Sequence, residues 1–240
     1  MRRFHRFSWK EANFRISSAY IDTVKEEIKK QRKILEEYIE RHPAFRSSFT
    51  PVTLYQHAPD IARRMARASR KTGVGPMAAV AGTMAQLAAE AAVRQGDRDV
   101  VVENGGDIYL ASDKEVIVGL FAGSSSLSDK LAVSVTPAVM PLSICSSSSH
   151  MGHSVSLGSC DLACVAAKNA ALADAAATCA CNSVKTFNDV GPCLERIMEI
   201  SGIHGILIVK EEKIGLAGSF PPLVRNRDTL FPGKITFSKD

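Results

Sequence analysis

The chain has 240 residues with a formal net charge of +5, and 45% of its residues are hydrophobic. This length and composition predict a globular protein with one sizeable core, and no run of about 18 apolar residues occurs that could span a membrane. A single tryptophan and few other aromatic residues argue against a stacking platform for single-stranded nucleic acid. We therefore expect one domain over residues 1–240, with neither nucleic acid nor membrane as partner.

The first seven residues, MRRFHRF, are basic, and no apolar signal region follows them; we expect a cytoplasmic protein. Its six cysteines lie in the second half of the chain and are then expected to be reduced thiols. Small buried cysteines often serve only as packing residues. Cys145, which stands in a run of serines, is the alternative candidate for a reactive thiol near a ligand.

Two elements are predicted before residue 43 and belong to the same domain, over about residues 14–42. Residues Phe14–Tyr20 alternate in polarity like a strand. The segment Ile21–Arg41 has apolar residues on one helical face, and His42-Pro43 ends the predicted helix. A second helix is predicted to begin at Pro59-Asp60 and to end near Gly73.

The middle of the chain combines an alanine-rich helix with short strands. Pro76 can start a helix without losing a hydrogen bond, and Met77–Arg94 continues it with Gly82 inside. Strands are predicted over residues 100–102, 108–110, 116–121 and 132–136. Residues Ser143–His150 then predict a serine-rich loop, in which Ser146, Ser147 and Ser148 donate hydrogen bonds to phosphates or to a flavin edge. A plain surface loop is the alternative.

The last third is predicted to hold a second alanine-rich helix over Cys160–Asn182 and a third helix over Val190–Ser201, capped by Asp189. A late hairpin follows, with strands over residues 205–209 and 214–217. Helices and strands are therefore mixed along the chain, and the predicted class is α+β, with mixed or antiparallel sheets packed against alanine-rich helices.

Two short stretches carry the candidate chemistry. The run Val100-Val101-Val102 predicts a strand that ends at Gly105-Gly106, a turn that presents Asp107 to solvent. Asp174 and Thr178 lie one helical turn apart, so that a carboxylate and a hydroxyl oxygen can share a hard cation. Taken singly, the first stretch also fits an ordinary hairpin and the second a packed core helix.

Both stretches resemble motifs of one family. Residues Asn104–Ile108 resemble the Asn-x-Gly-Gly-Asp-Ile turn of the ApbE superfamily, the FAD:protein FMN transferases, and Ala173–Thr178 resembles their Ala-Asp-Ala-Leu-Ala-Thr motif. Residues Gly73–Ala81 are similar to the glycine-containing segment that precedes a helix in that family. The resemblance covers roughly residues 70–182 and implies an ApbE-like fold.

The resemblance also implies ligands and roles. Asp174 and Thr178 would hold a magnesium ion against the FAD diphosphate, with a backbone carbonyl near Val74 or Gly75 completing the protein ligands. The turn residues Asn104, Gly105 and Gly106 would contact the cofactor, and Asp107 would orient the ligand or the nucleophile. The acceptor in the family is a threonine of another protein, which implies a protein partner. Dimerisation is a further expectation, since alanine-rich helices often pack across interfaces.

One family segment is different in this chain. The transferases carry His-x-x-Asp-Pro-x-Thr-Gly between the two motifs, whereas residues 150–159 here read HMGHSVSLGS. His153 stands nearest to the family histidine and is the candidate general base, with a hydrogen-bonded loop histidine as the alternative. We interpret the chain as a compact, divergent branch of the superfamily.

The sequence is consistent with three alternative functions. The first is a magnesium-dependent flavin transferase. The second, favoured by the missing Asp-Pro, is a protein that binds a flavin or another nucleotide-like phosphate ligand, with transfer left open. The third is a cytosolic protein that uses its clustered cysteines for sulfur or redox trafficking on the same scaffold.

Overall fold

The structure is a computed structural model that describes residues 2–123, 125, 127–128, 130–149 and 159–227. The strands are β1 (His5–Trp9), β2 (Ala12–Ser17), β3 (Asp99–Asn104), β4 (Asp107–Ser112), β5 (Val116–Gly119), β6 (Leu131–Val135), β7 (Leu142–Ser147), β8 (Leu162–Ala167), β9 (Ile203–Lys210), β10 (Lys213–Gly218) and β11 (Leu223–Arg225). The α-helices are α1 (Ile21–Arg41), α2 (Ala44–Ser47), α3 (Asp60–Thr72), α4 (Val80–Arg94), α5 (Ala170–Ser183) and α6 (Val190–Met198). Short 3-10 helices cover Pro76–Ala79, Pro137–Val139 and Phe187–Asp189.

The strands form two antiparallel sheets. The large sheet has eight strands in the order β1-β2-β3-β4-β7-β8-β9-β10, and the small sheet has three in the order β11-β6-β5. Helices cover one face of the large sheet, and the small sheet covers the other. The predicted α+β class with antiparallel sheets against alanine-rich helices is confirmed.

Strand β3 shows how the two layers enclose the large sheet. Side chains alternate along a strand, so that Val100 and Val102 belong to the core under the helices while Val101 belongs to the core under the small sheet. All three are buried. A continuous β-branched run is therefore stable here, because both faces of the strand are removed from water.

The predicted helices of the first half are confirmed. Helix α1 begins at Ile21 and ends at Arg41, and its apolar stripe is buried. Helix α3 ends where Gly73 takes a left-handed conformation (φ 79°), which glycine adopts without strain. The predicted helix over Met77–Arg94 begins with the 3-10 turn at Pro76 and continues as α4. Of the N-terminal strands, β1 was not predicted.

The predicted helix over Cys160–Asn182 is wrong in its first part. Residues Leu162–Ala167 form β8, and α5 begins only at Ala170, where the Asn169 side chain accepts a hydrogen bond from the Leu172 N–H at 2.9 Å. Every residue of β8 is buried between β7 and β9. A strand buried on both faces lacks the polar alternation that distinguishes strand from helix.

The predicted serine-rich loop over Ser143–His150 is also wrong. Residues Leu142–Ser147 form β7, an interior strand that pairs with β4 on one side and β8 on the other. Serine is a weak strand former, but two neighbouring strands satisfy the backbone hydrogen bonds, and this tertiary context decides the conformation. His150 lies outside the described residues.

The junction between β2 and α1 is tied to the start of β3 by one carboxylate. Asp97 accepts hydrogen bonds from the Ser18 hydroxyl (2.5 Å), the Ala19 N–H (2.8 Å) and the Asp99 N–H (3.1 Å). Burial opposes ionisation of Asp97, but these hydrogen bonds outweigh it, and the pKa is lowered. The ionised form therefore stabilises the fold above the unfolded-state pKa.

We expect Asp97→Ala to lower the free energy of unfolding by about 1–3 kcal/mol at pH 7, because three donors lose their acceptor. The difference from wild type should shrink as the pH falls below about 4, where the carboxyl becomes protonated. Urea unfolding between pH 3 and pH 7 measures this, with Asp113→Ala at an exposed position as the control. A difference that is independent of pH would contradict the assignment.

Among the described residues, none of the helices combines the length and the apolar character that crossing a bilayer requires.

Candidate functional site

The turn between β3 and β4 brings Asp107 to the site. Asn104 pairs with Asp107 across a two-residue turn in which Gly105 and Gly106 both have positive φ angles (61° and 99°). This is the type I′ geometry that matches the twist of a hairpin and that glycine adopts readily. The predicted turn is confirmed. The expectation that Asp107 is exposed is wrong, because the side chain lies under the helices and is only 5% exposed.

Asp174 projects from α5 toward the first turn of α4. Its Oδ2 accepts a hydrogen bond from the Gly82 N–H at 2.8 Å, and the Ala81 N–H also stabilises the carboxylate. Both amides belong to the N-terminal turn of α4, where N–H groups lack partners within the helix and the helix dipole favours a negative charge. The Asp174 carboxylate therefore caps the N-terminal end of α4.

Gly82 allows this approach because it has no side chain. A Cβ atom at this position would lie 2.6 Å from the Ala170 carbonyl oxygen and 2.9 Å from the Asp174 Cβ. Helices α4 and α5 are thus in backbone contact beside the site. In the sequence, Gly82 is a single glycine inside an alanine-rich helix, a pattern that indicates close packing. The sequence did not show that α5 is the element packed against it.

Asn104 joins the turn to the same end of α4. Its Nδ2 donates to the Ala81 carbonyl oxygen at 3.2 Å, and the residue is buried. Gly105 is exposed and Gly106 half-buried. The structure therefore brings three predicted site residues, Asn104, Asp107 and Asp174, to the N-terminus of α4.

The two aspartates share a desolvated environment. Burial raises the pKa of Asp107 well above its ordinary value, and the neighbouring Asp174 carboxylate raises it further; the Cys145 thiol and the Ser146 N–H oppose the shift. Burial also raises the pKa of Asp174, against the hydrogen bonds from Gly82 and Ala81. Like charges in a dry site disfavour each other. The site therefore favours a proton or a bound cation.

One oxygen of this pair has a free coordination position. Asp107 Oδ1 is buried and has no hydrogen-bond partner among the described residues. Buried polar atoms are nearly always paired, and an exception needs an explanation such as an ion. Thr178, one turn beyond Asp174 on α5, is half-buried and adds a hydroxyl oxygen. Carboxylate and hydroxyl oxygens are ligands that magnesium accepts, so the donor set fits this ion.

The protein supplies few side-chain ligands for a metal ion at this site. Within the described parts of the chain, no cluster of three or more histidine, cysteine or acidic side chains is arranged to hold a metal. Magnesium usually keeps several waters and uses one or two carboxylates together with ligand phosphates. An oxygen site with few protein ligands suits a cation that binds together with a phosphorylated ligand.

The two backbone carbonyls expected as a further ligand, those of Val74 and Gly75, each accept a hydrogen bond within their own segment. The Val74 carbonyl accepts a hydrogen bond from the Ser69 hydroxyl at 2.5 Å, and the Gly75 carbonyl accepts one from the Ala78 N–H at 3.2 Å. The segment that meets Asp174 is the first turn of α4, at Ala81 and Gly82.

The serines are divided between the faces of the large sheet. The Ser146 hydroxyl donates to the Cys164 sulfur at 3.4 Å, on the face under the small sheet, whereas Cys145 faces the helices. The Ser146 contribution at Asp107 is therefore its backbone N–H. Ser147 is half-buried and Ser148 buried. His153, the candidate general base, lies outside the described residues.

The cysteines are all free thiols. Burial raises the pKa of Cys145 well above its ordinary value, and the charges of Asp107 and Asp174 raise it further. Burial likewise raises the pKa of Cys164 to about 12. The thiolate is the reactive form of cysteine, so these thiols stay protonated and unreactive at neutral pH. Sequence reasoning placed Cys145 in a loop, whereas it is a packed neighbour of Asp107.

Comparisons with known proteins agree with this architecture. The family model described as "AbpE bacteria" matches residues 6–194. A "UPF0280 protein" from Methanospirillum hungatei is 42% identical over 220 residues, covering 90% of this chain and 88% of the relative. A "UPF0280 protein" from Methanococcus aeolicus is 38% identical over 215 residues, covering 88% and 87%.

Solved structures share the fold at low sequence identity. The flavin transferase ApbE from Vibrio cholerae superposes with a TM-score of 0.59 at 13% identity, covering 92% of this chain and 98% of that one. The Pseudomonas stutzeri flavinyl transferase ApbE, in its apo form, superposes with a TM-score of 0.54 at 8% identity, covering 90% and 94%. The chain therefore belongs to the AbpE bacteria family and is a divergent branch with the ApbE-like fold.

Proposed function

We propose that this protein binds the diphosphate of a flavin nucleotide together with a magnesium ion, at the N-terminus of α4. The observation that carries the proposal is the buried pair Asp107 and Asp174, in which one carboxylate oxygen lacks a hydrogen-bond partner among the described residues. A cation is the simplest group that compensates two desolvated carboxylates at neutral pH.

The ligand class is inferred from the chemistry of the site. Asp174, Thr178 and the free oxygen of Asp107 would hold the ion, which would neutralise diphosphate charge when bound. The exposed backbone of Gly105 lets a ligand approach closely, and Asn104 anchors that turn to α4. The flavin is inferred from the motif resemblance and from the two flavin transferases of the same fold.

Transfer to a protein acceptor is the further step that this site would support. The residues of this chain would bind and orient the nucleotide, so that a hydroxyl of the acceptor attacks the diphosphate and AMP leaves. Asp107 would orient the ligand or that hydroxyl. Residues 150–159 lack the Asp-Pro of the transferases, so we propose ligand binding first and transfer second. AMP release tests the transfer.

Thiol chemistry is the less favoured function. Of the six cysteines only Cys179 is not fully buried, and burial raises its pKa as well. Free, protonated thiols fit reduced packing residues in a cytoplasmic protein. We infer that the chain works as one domain in that compartment.

Calorimetric titration of FAD with and without magnesium tests the proposal, with Asp174→Asn as the variant. Asparagine keeps an oxygen that can accept the Gly82 N–H but removes the charge. We expect magnesium-dependent affinity to fall at least about ten-fold, because a charge-assisted ligand of the ion is lost. Asp113→Asn, at an exposed position just after the end of β4, should bind like wild type.

AMP release is assayed in the same samples. AMP that appears in wild type and not in Asp174→Asn would support transfer or hydrolysis, and binding without AMP would support a carrier. Equal FAD affinity with and without magnesium, or an Asp174→Asn variant that binds like wild type, would overturn the cation site.

A further inference from the structure

Strand β10 is the outermost strand of the large sheet. It pairs with β9 on one side, and the order of the described strands ends there. An edge strand presents unpaired N–H and C=O groups that can pair with another strand. The free side of β10 is therefore a candidate interaction surface.

The two faces of β10 differ. Gly215 lies against α6, since a Cβ atom there would come within 2.4 Å of the Val190 side chain. Ile214 and Leu216 lie on the opposite face, paired with Val209 and Leu207 of the core under the small sheet. They are 38% and 50% exposed. The apolar side chains thus continue outward onto the last described strand of the sheet, where Ile214 and Leu216 are partly exposed.

The usual protection of an edge is confined to the first residue of this strand. Natural edges carry charged residues or proline that block further pairing. The segment Ile214–Gly218 contains neither. Lys213, at the start of the strand, has its ammonium group 4.3 Å from the centre of the Phe187 ring. The opposite edge, β1, carries its charged residue, Arg6, inside the strand.

We propose that β10 is the contact surface of a homodimer, in which the two copies of this strand pair antiparallel about a two-fold axis. With Gly215 opposite Gly215 of the partner subunit, Ile214 lies beside the partner's Leu216 on the same face. Lys213 then lies opposite the partner's Ala217, so no like charges meet. Pairing would join the two large sheets and bury both aliphatic pairs.

A second copy fits this edge better than other occupants. Pairing of β10 with β1 of another copy would be head-to-tail and would leave an edge open at each end, which leads to filaments. Pairing of β10 with itself closes after two subunits. The strand is self-complementary in the spacing of its aliphatic residues, and its one charge, Lys213, meets no like charge in this register.

Sedimentation equilibrium of the full chain, from about 1 to about 100 μM, tests the proposal, because this range covers the affinities expected for a small interface. We expect a dimer for wild type and at least a ten-fold weaker association for Leu216→Lys, which places charge at the centre of the contact. Ile117→Lys is the matched control: Ile117 on β5 is 54% exposed and lies on the small sheet. It should dimerise like wild type.

The register has its own test. A mixture of Ile214→Cys and Leu216→Cys proteins, oxidised with glutathione disulfide, should give a cross-linked dimer more readily than either variant alone, because opposed Cα atoms in an antiparallel pair suit a disulfide. A wild type that is monomeric at the highest concentration, or a Leu216→Lys variant that associates like wild type, would overturn the proposal. Equal cross-linking in all three samples would overturn the register.

Discussion

Gly82→Ala is expected to lower the free energy of unfolding by about 1–3 kcal/mol, although alanine is the better helix former by about 1 kcal/mol. The reason is steric. The new methyl group would lie 2.6 Å from the Ala170 carbonyl oxygen and 2.9 Å from the Asp174 Cβ, so α5 has to move away from α4. The same movement lengthens the hydrogen bond from the Gly82 N–H to Asp174, and we expect magnesium-dependent ligand binding to be lost.

Gly191→Ala is the matched control for this prediction. Gly191 also lies inside a helix, α6, but a Cβ atom there meets nothing within 4 Å. Helix propensity favours alanine by up to about 1 kcal/mol, whereas the following Pro192 disfavours a Cβ in the helical conformation. These two effects oppose each other, so the stability of the variant should stay within about 1 kcal/mol of wild type. Urea unfolding and calorimetric titration of both variants measure the difference. A Gly82→Ala protein that is as stable as Gly191→Ala would contradict the close contact of the two helices.

Asp107→Asn is expected to raise the free energy of unfolding by about 1–3 kcal/mol at pH 8 without divalent cations, and to abolish stabilisation by magnesium. Burial and the Asp174 carboxylate both disfavour the ionised form of Asp107. An amide of nearly the same shape removes this unfavourable charge. A substitution that stabilises the protein while it removes the proposed cation ligand is typical of a functional site.

The pH dependence distinguishes this cause from better packing. The folded-state pKa of Asp107 lies above the unfolded value, so the folded state binds the proton more tightly, and stability falls as the pH rises from about 4 toward the folded pKa. The gain in Asp107→Asn should therefore vanish near pH 4 and grow toward pH 8. Urea unfolding across this range, with Asp113→Asn as control, measures it. A variant less stable than wild type at pH 8 would show that the charge of Asp107 makes net favourable contacts.

Local patterns were enough for several parts of this protein. Consecutive glycines at Gly105-Gly106 can adopt the positive φ angles of a tight hairpin, and the apolar stripe of Ile21–Arg41 repeats at helical spacing. The helical position of Asp174 relative to Thr178 follows from a four-residue separation. In each case neighbouring residues determine the conformation, so the sequence alone was a sufficient guide.

Local patterns failed where both faces of an element are buried. Residues Leu162–Ala167 read as the start of an alanine-rich helix, and Leu142–Ser147 read mostly as a serine loop. Both are interior strands, because the strands on either side supply hydrogen bonds and the layers above and below bury most of their side chains. No polar alternation remains to reveal this from the sequence.

The sequence by itself determined the hairpin turn, the main helices of the first half and the residue types at the site. Only the tertiary structure decided that Asp107 is buried, that Asp174 closes the end of α4, and that Gly82 holds the two helices together. Gly82 and Asp174 are 92 positions apart along the chain. Contacts over such a separation depend on how the sheet and helices pack, and this is why residue spacing could suggest the ligands but not the environment that sets their charge.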